Sequence, residues 1–187
     1  LGMNVPVKRE RETMGAFDFV VRNPEGRVEH WEIAVKFYLL LGDREEWSSW
    51  VGPNQRDRLS RKVARMREHQ LPLSARPQGI HALNQLGVSA VDHRIALLKG
   101  EFFTEWRAPV EGPPSAWEVA QGRWADVERV AEMREAFPGS LWVRRDKPFW
   151  LSPLQYGGQE WTSMELPSHL AKPEMWSRLC PADNGGW

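Results

Sequence analysis

Asp18, Glu32 and Lys36 are the residues whose types and spacing could do chemistry. They lie on the stretch FDFVVRNPEGRVEHWEIAVKFY, residues 17–38, whose pattern predicts a long hairpin. Asn23-Pro24-Glu25-Gly26-Arg27 makes the turn. Proline suits the second position of a type I turn, and glycine supplies the left-handed residue that closes a three-residue loop. That loop pairs Asn23 with Arg27. Counting back sets Arg22 against Val28, Val20 against His30 and Asp18 against Glu32. Strand side chains alternate, so Asp18, Val20, Arg22, Val28, His30, Glu32, Ala34 and Lys36 share one face. Phe17, Phe19, Val21, Trp31, Ile33, Val35 and Phe37 share the other, with Glu29 near the turn, and this apolar face is the expected core.

Like charges directly across a strand pair repel, and a divalent cation between them turns that cost into a gain. Hard cations such as Mg2+ or Mn2+ take carboxylate and water oxygens. A lysine ammonium on the same face can hold a water or steady charge on a phosphate. The competing reading is a solvated hairpin face whose acids and lysine keep it wet. The register decides between them, because a one-residue slip sets Asp18 opposite Trp31 on the wrong face.

Composition bounds what must position these groups. The chain has 187 residues, with 25 basic and 25 acidic side chains and no net charge. One domain with at most a small appendage is expected, and any nucleic-acid contact must come from a local basic patch. The single cysteine, Cys180, allows neither an internal disulfide nor a cysteine metal cage. No apolar run approaches the ~18 residues of a membrane helix, and the opening LGMNVPVKRERETMG is charged rather than secretory. A cytoplasmic protein without a membrane partner is expected. The opening Leu1 points to a fragment or a processed chain. The eleven tryptophans are read mainly as packing residues, with a few as stacking platforms for bases.

Residues 1–14 read as an irregular lead-in. After the hairpin, Asn54 is the expected cap of a helix to about His69, with Leu59, Val63 and Met66 as its apolar stripe. A second stripe holds Arg58, Lys62, Arg65 and His69. From Arg56 to His69 six basic residues face Asp57 and Glu68. That is either a solvated face or a surface that tracks phosphates. Leu71-Pro72 is the expected stop. Residues 72–93 read as loop with a short helix near Ile80–Leu86, and His81 and His93 as surface residues. Arg94–Trp106 reads as a strand with Gly100 as its weak point, and Ile95-Ala96-Leu97-Leu98 as a run covered on both faces. A capping box at Ser115–Glu118 opens a helix to about Ala136. A second hairpin follows, turning at Arg145-Asp146-Lys147, and then a Trp-rich tail. The fold class is α/β, bordering on α+β, with a mixed sheet. Residues 1–107 form the core, and 108–187 add a helix, a hairpin and the tail, packed on the same domain.

This order of elements resembles the PD-(D/E)XK nuclease superfamily, in which a sheet hairpin presents an Asp and an acid-x-Lys element to one or two magnesium ions. The chain is also similar to a bacterial family catalogued as domain of unknown function 1853. Five segments carry that likeness: Gly15–Phe19, His30–Tyr38, Trp50–Asn54, Asp57–Leu59 with Lys62, and His69–Leu73. The resemblance implies a restriction-endonuclease-like core without its first helix. It implies Asp18 and Glu32 as ligands of Mg2+ or Mn2+, Lys36 as the lysine that orients water or steadies the phosphate, and Lys62 or Arg65 as phosphate contacts. The pattern departs in three places. The acid stands four residues before Lys36, with Ala34 at the usual acid position. Ala16 stands where many relatives have glutamate. Only about fourteen residues precede the hairpin.

The leading expectation is therefore a metal-dependent nuclease acting on DNA or RNA, using Asp18, Glu32 and Lys36, with Arg58, Lys62, Arg65 and His30 as nucleic-acid contacts. The alternatives are a non-catalytic nucleic-acid-binding module and a protein-interaction module using the Trp-rich half. No G-x-S-x-G motif, Gly-rich phosphate loop or histidine pair at ligand spacing is present.

Overall fold

The computed structural model describes residues 1–109, 120–136, 141–145 and 175–179. The hairpin forms in the expected register. Strands β2 (Glu12–Arg22) and β3 (Val28–Leu40) pair antiparallel, with Val20 opposite His30 and Arg22 opposite Val28. The turn closes through Asn23 N–H to Arg27 O and Gly26 N–H to Asn23 O, both 2.9 Å. Asn23 Oδ1 also accepts from Arg27 N–H, at 2.9 Å. Gly26 takes φ 84°, the left-handed residue that this loop requires.

The chain before the hairpin is not irregular. Strand β1 (Gly2–Arg9) lies antiparallel on β2. On the other side β3 pairs in parallel with β5 (His93–Glu105) from Glu29 opposite His93 to Leu39 opposite Phe103. A short strand β4 (Trp50–Val51) pairs with the end of β3. Strand β6 (Ala120–Trp124) lies parallel on β5. The sheet order is β1-β2-β3-β5-β6, with β4 attached to β3. This is the mixed sheet and α/β class expected. Ala120–Trp124 was expected to be helix; parallel pairing with β5 makes it strand, and the helix α3 is confined to Val130–Ala136. The capping box itself lies outside the described residues, as does most of the second expected turn. The described partner of β7 (Leu141–Arg145) is β8 (Met175–Leu179).

Between β3 and β5 the chain is helical for longer than proline suggested. Helix α1 spans Leu59–Arg65, widens into a π turn over Met66–Gln70 and tightens into a 3-10 turn over Leu71–Ala75. Pro72 sits in the first turn of that last segment, where its missing N–H costs nothing. Asn54 is not the cap, for α1 begins at Leu59, after a turn in which Gln55 takes φ 56°. Helix α2 spans Pro77–Gln85, again with proline in its first turn.

These helical segments decide which face of the hairpin is core, and it is the polar one. Val28, His30, Glu32, Ala34 and Tyr38 are buried, whereas Val35 on the apolar row is 49 % exposed. Two apolar clusters flank the polar middle of that row. Val7, Phe17, Val20, Val28, Leu73, Ala82, Leu83 and Val88 pack at the hairpin end, and Tyr38, Trp50, Leu59 and Phe102 at the far end. Phe17 and Val20 share one cluster although three residues apart, so strict alternation breaks between them, at Asp18-Phe19. The run in β5 is not covered on both faces, since Ala96 is exposed and Leu97 and Leu98 are half-buried.

Gly100 is no break in β5 but a condition for it. It stands opposite Lys36 with φ 148°, and a Cβ there would lie 1.6 Å from the Lys36 carbonyl oxygen. Gly100→Ala should cost well over ~1 kcal/mol in urea unfolding, since both backbone and space reject the methyl group. A variant within ~0.5 kcal/mol of the wild type would contradict this packing.

Candidate active site where the hairpin ladder ends

The β2–β3 ladder runs only from Arg22–Val28 to Phe19–Trp31. One step further the count would set Asp18 opposite Glu32, but the ladder has ended and a side chain replaces the backbone pairing. Asp18 Oδ2 accepts the Ile33 N–H at 2.8 Å. Asp18 is half-buried, and its Oδ1 takes no hydrogen bond from a described residue. Beyond this point β2 remains paired with β1, and β3 with β5.

Glu32, on the buried row of β3, has no solvent exposure. A buried carboxylate must be fully hydrogen-bonded, and both its oxygens are engaged. His30 Nε2 lies 2.8 Å from Oε1, and Gln70 Nε2 donates to Oε2 at 2.5 Å. As a carboxylate Glu32 only accepts, so His30 donates through Nε2. Its Nδ1 then takes the Ser74 hydroxyl at 3.1 Å, and Ser74 Oγ in turn accepts from Arg94 Nε at 2.8 Å. Phe17 closes the ring edge-on, with centroids 4.7 Å apart. His30 was expected among the nucleic-acid contacts; it is wholly enclosed and supports Glu32 instead.

The amines divide differently from the expectation. Lys36 Nζ donates to Asp57 Oδ2 at 2.5 Å, and Asp57 Oδ1 accepts from Arg58 N–H at 2.9 Å. Tyr38 lies near Asp57 with its hydroxyl buried and no partner at bonding geometry among the described residues. Burial first, then the nearby Asp57 carboxylate, hold that phenol well above its usual range. Lys62 Nζ donates to Gln70 Oε1 at 3.1 Å. Its ammonium is pushed below the usual lysine range, by desolvation first and then by Lys36 and Arg65, with Asp18 and Glu32 acting in the opposite sense. Of the predicted residues, then, the fold places Asp18, Glu32, Lys36 and Arg65 within electrostatic reach of Lys62. Arg58 is not part of this group: its guanidinium donates to the Ser48 carbonyl at 2.6 Å.

Gln70, Ser74, Asp57 and Arg94 were missed as site residues. The available signal was the alternation of the hairpin itself. Polar residues on a row that is covered need partners, and the next element supplies Gln70 and Ser74 one turn apart. Among the described residues no group of three or more His, Cys, Asp or Glu side chains is placed to hold a metal, and no helix is long and apolar enough to cross a membrane.

The family model described as "Domain of unknown function (DUF1853)" matches residues 1–178, and the chain belongs to that family. No curated protein and no solved structure matches it.

His30 supplies one of the two hydrogen bonds of a carboxylate that has no solvent exposure, so removing the imidazole leaves a buried oxygen unsatisfied. His30→Ala should therefore lower unfolding free energy by about 3 kcal/mol, read by urea denaturation. A loss under about 1 kcal/mol would mean that Glu32 is not held as described.

Proposed function

We propose that this chain hydrolyses phosphodiester bonds in nucleic acid at the opening of the β2–β3 ladder, with the aid of Mg2+ or Mn2+. The observation that carries the reading is the convergence of charge there. Lys62 from α1 lies in the field of Asp18 from β2 and Glu32 from β3, Gln70 bonds both Lys62 and Glu32, and Asp18 is half-buried rather than enclosed.

The donor chemistry fits such an ion. Magnesium is commonly bound through one or two carboxylates, with waters and substrate phosphates completing its shell. Asp18 Oδ1 takes no hydrogen bond from the described residues, and Glu32 Oε2 is covered by the neutral Gln70 amide, which an incoming cation would displace. When bound, the ion would lower the pKa of a water and stabilise charge on the phosphate. The protein's own part is positional. The Ile33 N–H fixes the Asp18 carboxylate, His30 fixes Glu32, and a lysine ammonium beside them donates to a phosphate oxygen as its charge grows. Arg65, exposed on α1, extends the positive surface along the substrate backbone.

The purified protein should cleave labelled DNA or RNA with Mg2+ or Mn2+ and stop on chelation. Asp18→Asn should lose cleavage by about 100-fold or more with an unchanged circular dichroism spectrum. Cleavage that ignores chelator, or an Asp18→Asn variant as active as the wild type, would refute the reading.

The complete enclosure of Glu32, with both oxygens bonded, favours a second reading, a nucleic-acid-binding module without catalysis. It predicts oligonucleotide binding that weakens steeply with salt, depends on Arg58, Lys62 and Arg65, and is indifferent to chelator.

A further inference from the structure

Two lysines enter the cluster, and they are held in different ways. Lys36 is paired with a carboxylate, Asp57, at 2.5 Å. That carboxylate is itself fixed by the Arg58 N–H at the threshold of α1. The pairing cancels most of the field that Lys36 could direct at a substrate. Its backbone is also clamped, because Gly100 lies against the Lys36 carbonyl. Lys36 thus joins β3 to the start of α1.

Lys62 has the opposite environment. Its hydrogen-bond partner is the amide oxygen of Gln70, which carries no charge. The same amide uses its nitrogen to hold Glu32 Oε2. One side chain therefore sets the distance between the buried carboxylate and an ammonium that has no ion pair among the described residues. An ammonium has three N–H donors, and one to Gln70 leaves two for a ligand. The charged groups acting on it are Asp18 from β2, Glu32 and Lys36 from β3, and Arg65 from its own helix. Arg65 is three residues along and so on the same side of α1, and it is exposed. A phosphate backbone lying along that side meets Arg65 outside and Lys62 at the acids.

We propose that Lys62, aligned on Glu32 by Gln70, is the amine that contacts the substrate phosphate, and that Lys36 serves as a structural tie to Asp57. Gln70 is then a positioning residue. If an ion displaces its amide from Glu32, Gln70 still holds Lys62 beside the site. The assignment rests on the phosphodiester reading above, and it departs from the position at which the nuclease pattern places its lysine.

The test compares Lys62→Met, Lys62→Arg, Gln70→Ala and the paired variant Lys36→Met with Asp57→Asn. In cleavage assays with Mg2+, Lys62→Met should lower kcat by about 100-fold. Lys62→Arg should recover most of it, because the positive charge is kept. Gln70→Ala should lower kcat by about tenfold with KM little changed, the mark of lost alignment rather than lost binding. The paired variant should stay within about tenfold of the wild type and show its effect as a lower unfolding midpoint. A second arm needs no turnover: binding of a fluorescent 12-nucleotide strand, measured by anisotropy in chelator. Lys62→Met should weaken it more than the paired variant does. If the wild type cleaves and the paired variant is inactive while Lys62→Met is active, the lysine assignment is wrong and the hydrolase reading stands. If the wild type cleaves nothing, the hydrolase reading fails, and the binding arm alone decides between the lysines. Equal losses in that arm, or no binding by the wild type, overturn the assignment.

Discussion

A carboxylate taken out of water must find its hydrogen bonds inside the protein, and the enclosure of Glu32 governs the middle of this molecule. Its two oxygens fix His30 and Gln70. His30 requires Ser74, and Ser74 is reached by Arg94. Gln70 extends the network to Lys62. Three successive helical segments, α, π and 3-10 in geometry, must then lie over β3 so that Lys62, Gln70 and Ser74 face one strand row. A π turn shifts the register of side chains around a helix axis, and here it falls on Met66–Gln70, the stretch that delivers Gln70. The apolar clusters at either end of the row supply the favourable burial, and the polar middle specifies how the layers register.

The second constraint is the end of the hairpin ladder. With Phe19–Trp31 as its last pair, β2 and β3 part toward different neighbours. The break in alternation between Phe17 and Val20 lets both enter the core and leaves Asp18 at the opening. A carboxylate that caps a strand N–H with one oxygen is held still while its other oxygen remains available. Function is proposed for this part of the chain because it combines rigidity, charge and access.

Much of this was legible in the residues, and the failures have physical causes. The NPEG turn fixed the register because loop length and a left-handed glycine leave few alternatives. The pairs Arg22–Val28 and Val20–His30 formed as counted, whereas the ladder ends before Asp18 and Glu32 and Asp18 accepts the Ile33 N–H instead. The face assignment inverted. Alternation separates two rows but does not say which one the next element covers, and the expectation assumed that the apolar row must be inside. Here a polar row is buried because its partners arrive from residues 57–74. Ala120–Trp124 read as helix because local pattern carries no trace of a parallel neighbour far away in sequence. Lys36 was placed correctly on its strand, but its ion pair with Asp57 depends on a loop geometry that spacing does not encode. Gln70 lay within the family-like segment His69–Leu73, yet a glutamine gives no hint of a role until the carboxylate it covers is seen in place.

The proposed function requires a cation site where the ladder ends, built over a buried glutamate. Anomalous diffraction from crystals soaked in Mn2+ tests this most directly. A peak within coordination distance of Asp18 Oδ1 and Glu32 Oε2, with the Gln70 amide moved aside and still bonded to Lys62, is the predicted result. Crystals with no peak there at saturating Mn2+, and Gln70 still bonded to Glu32, would contradict it.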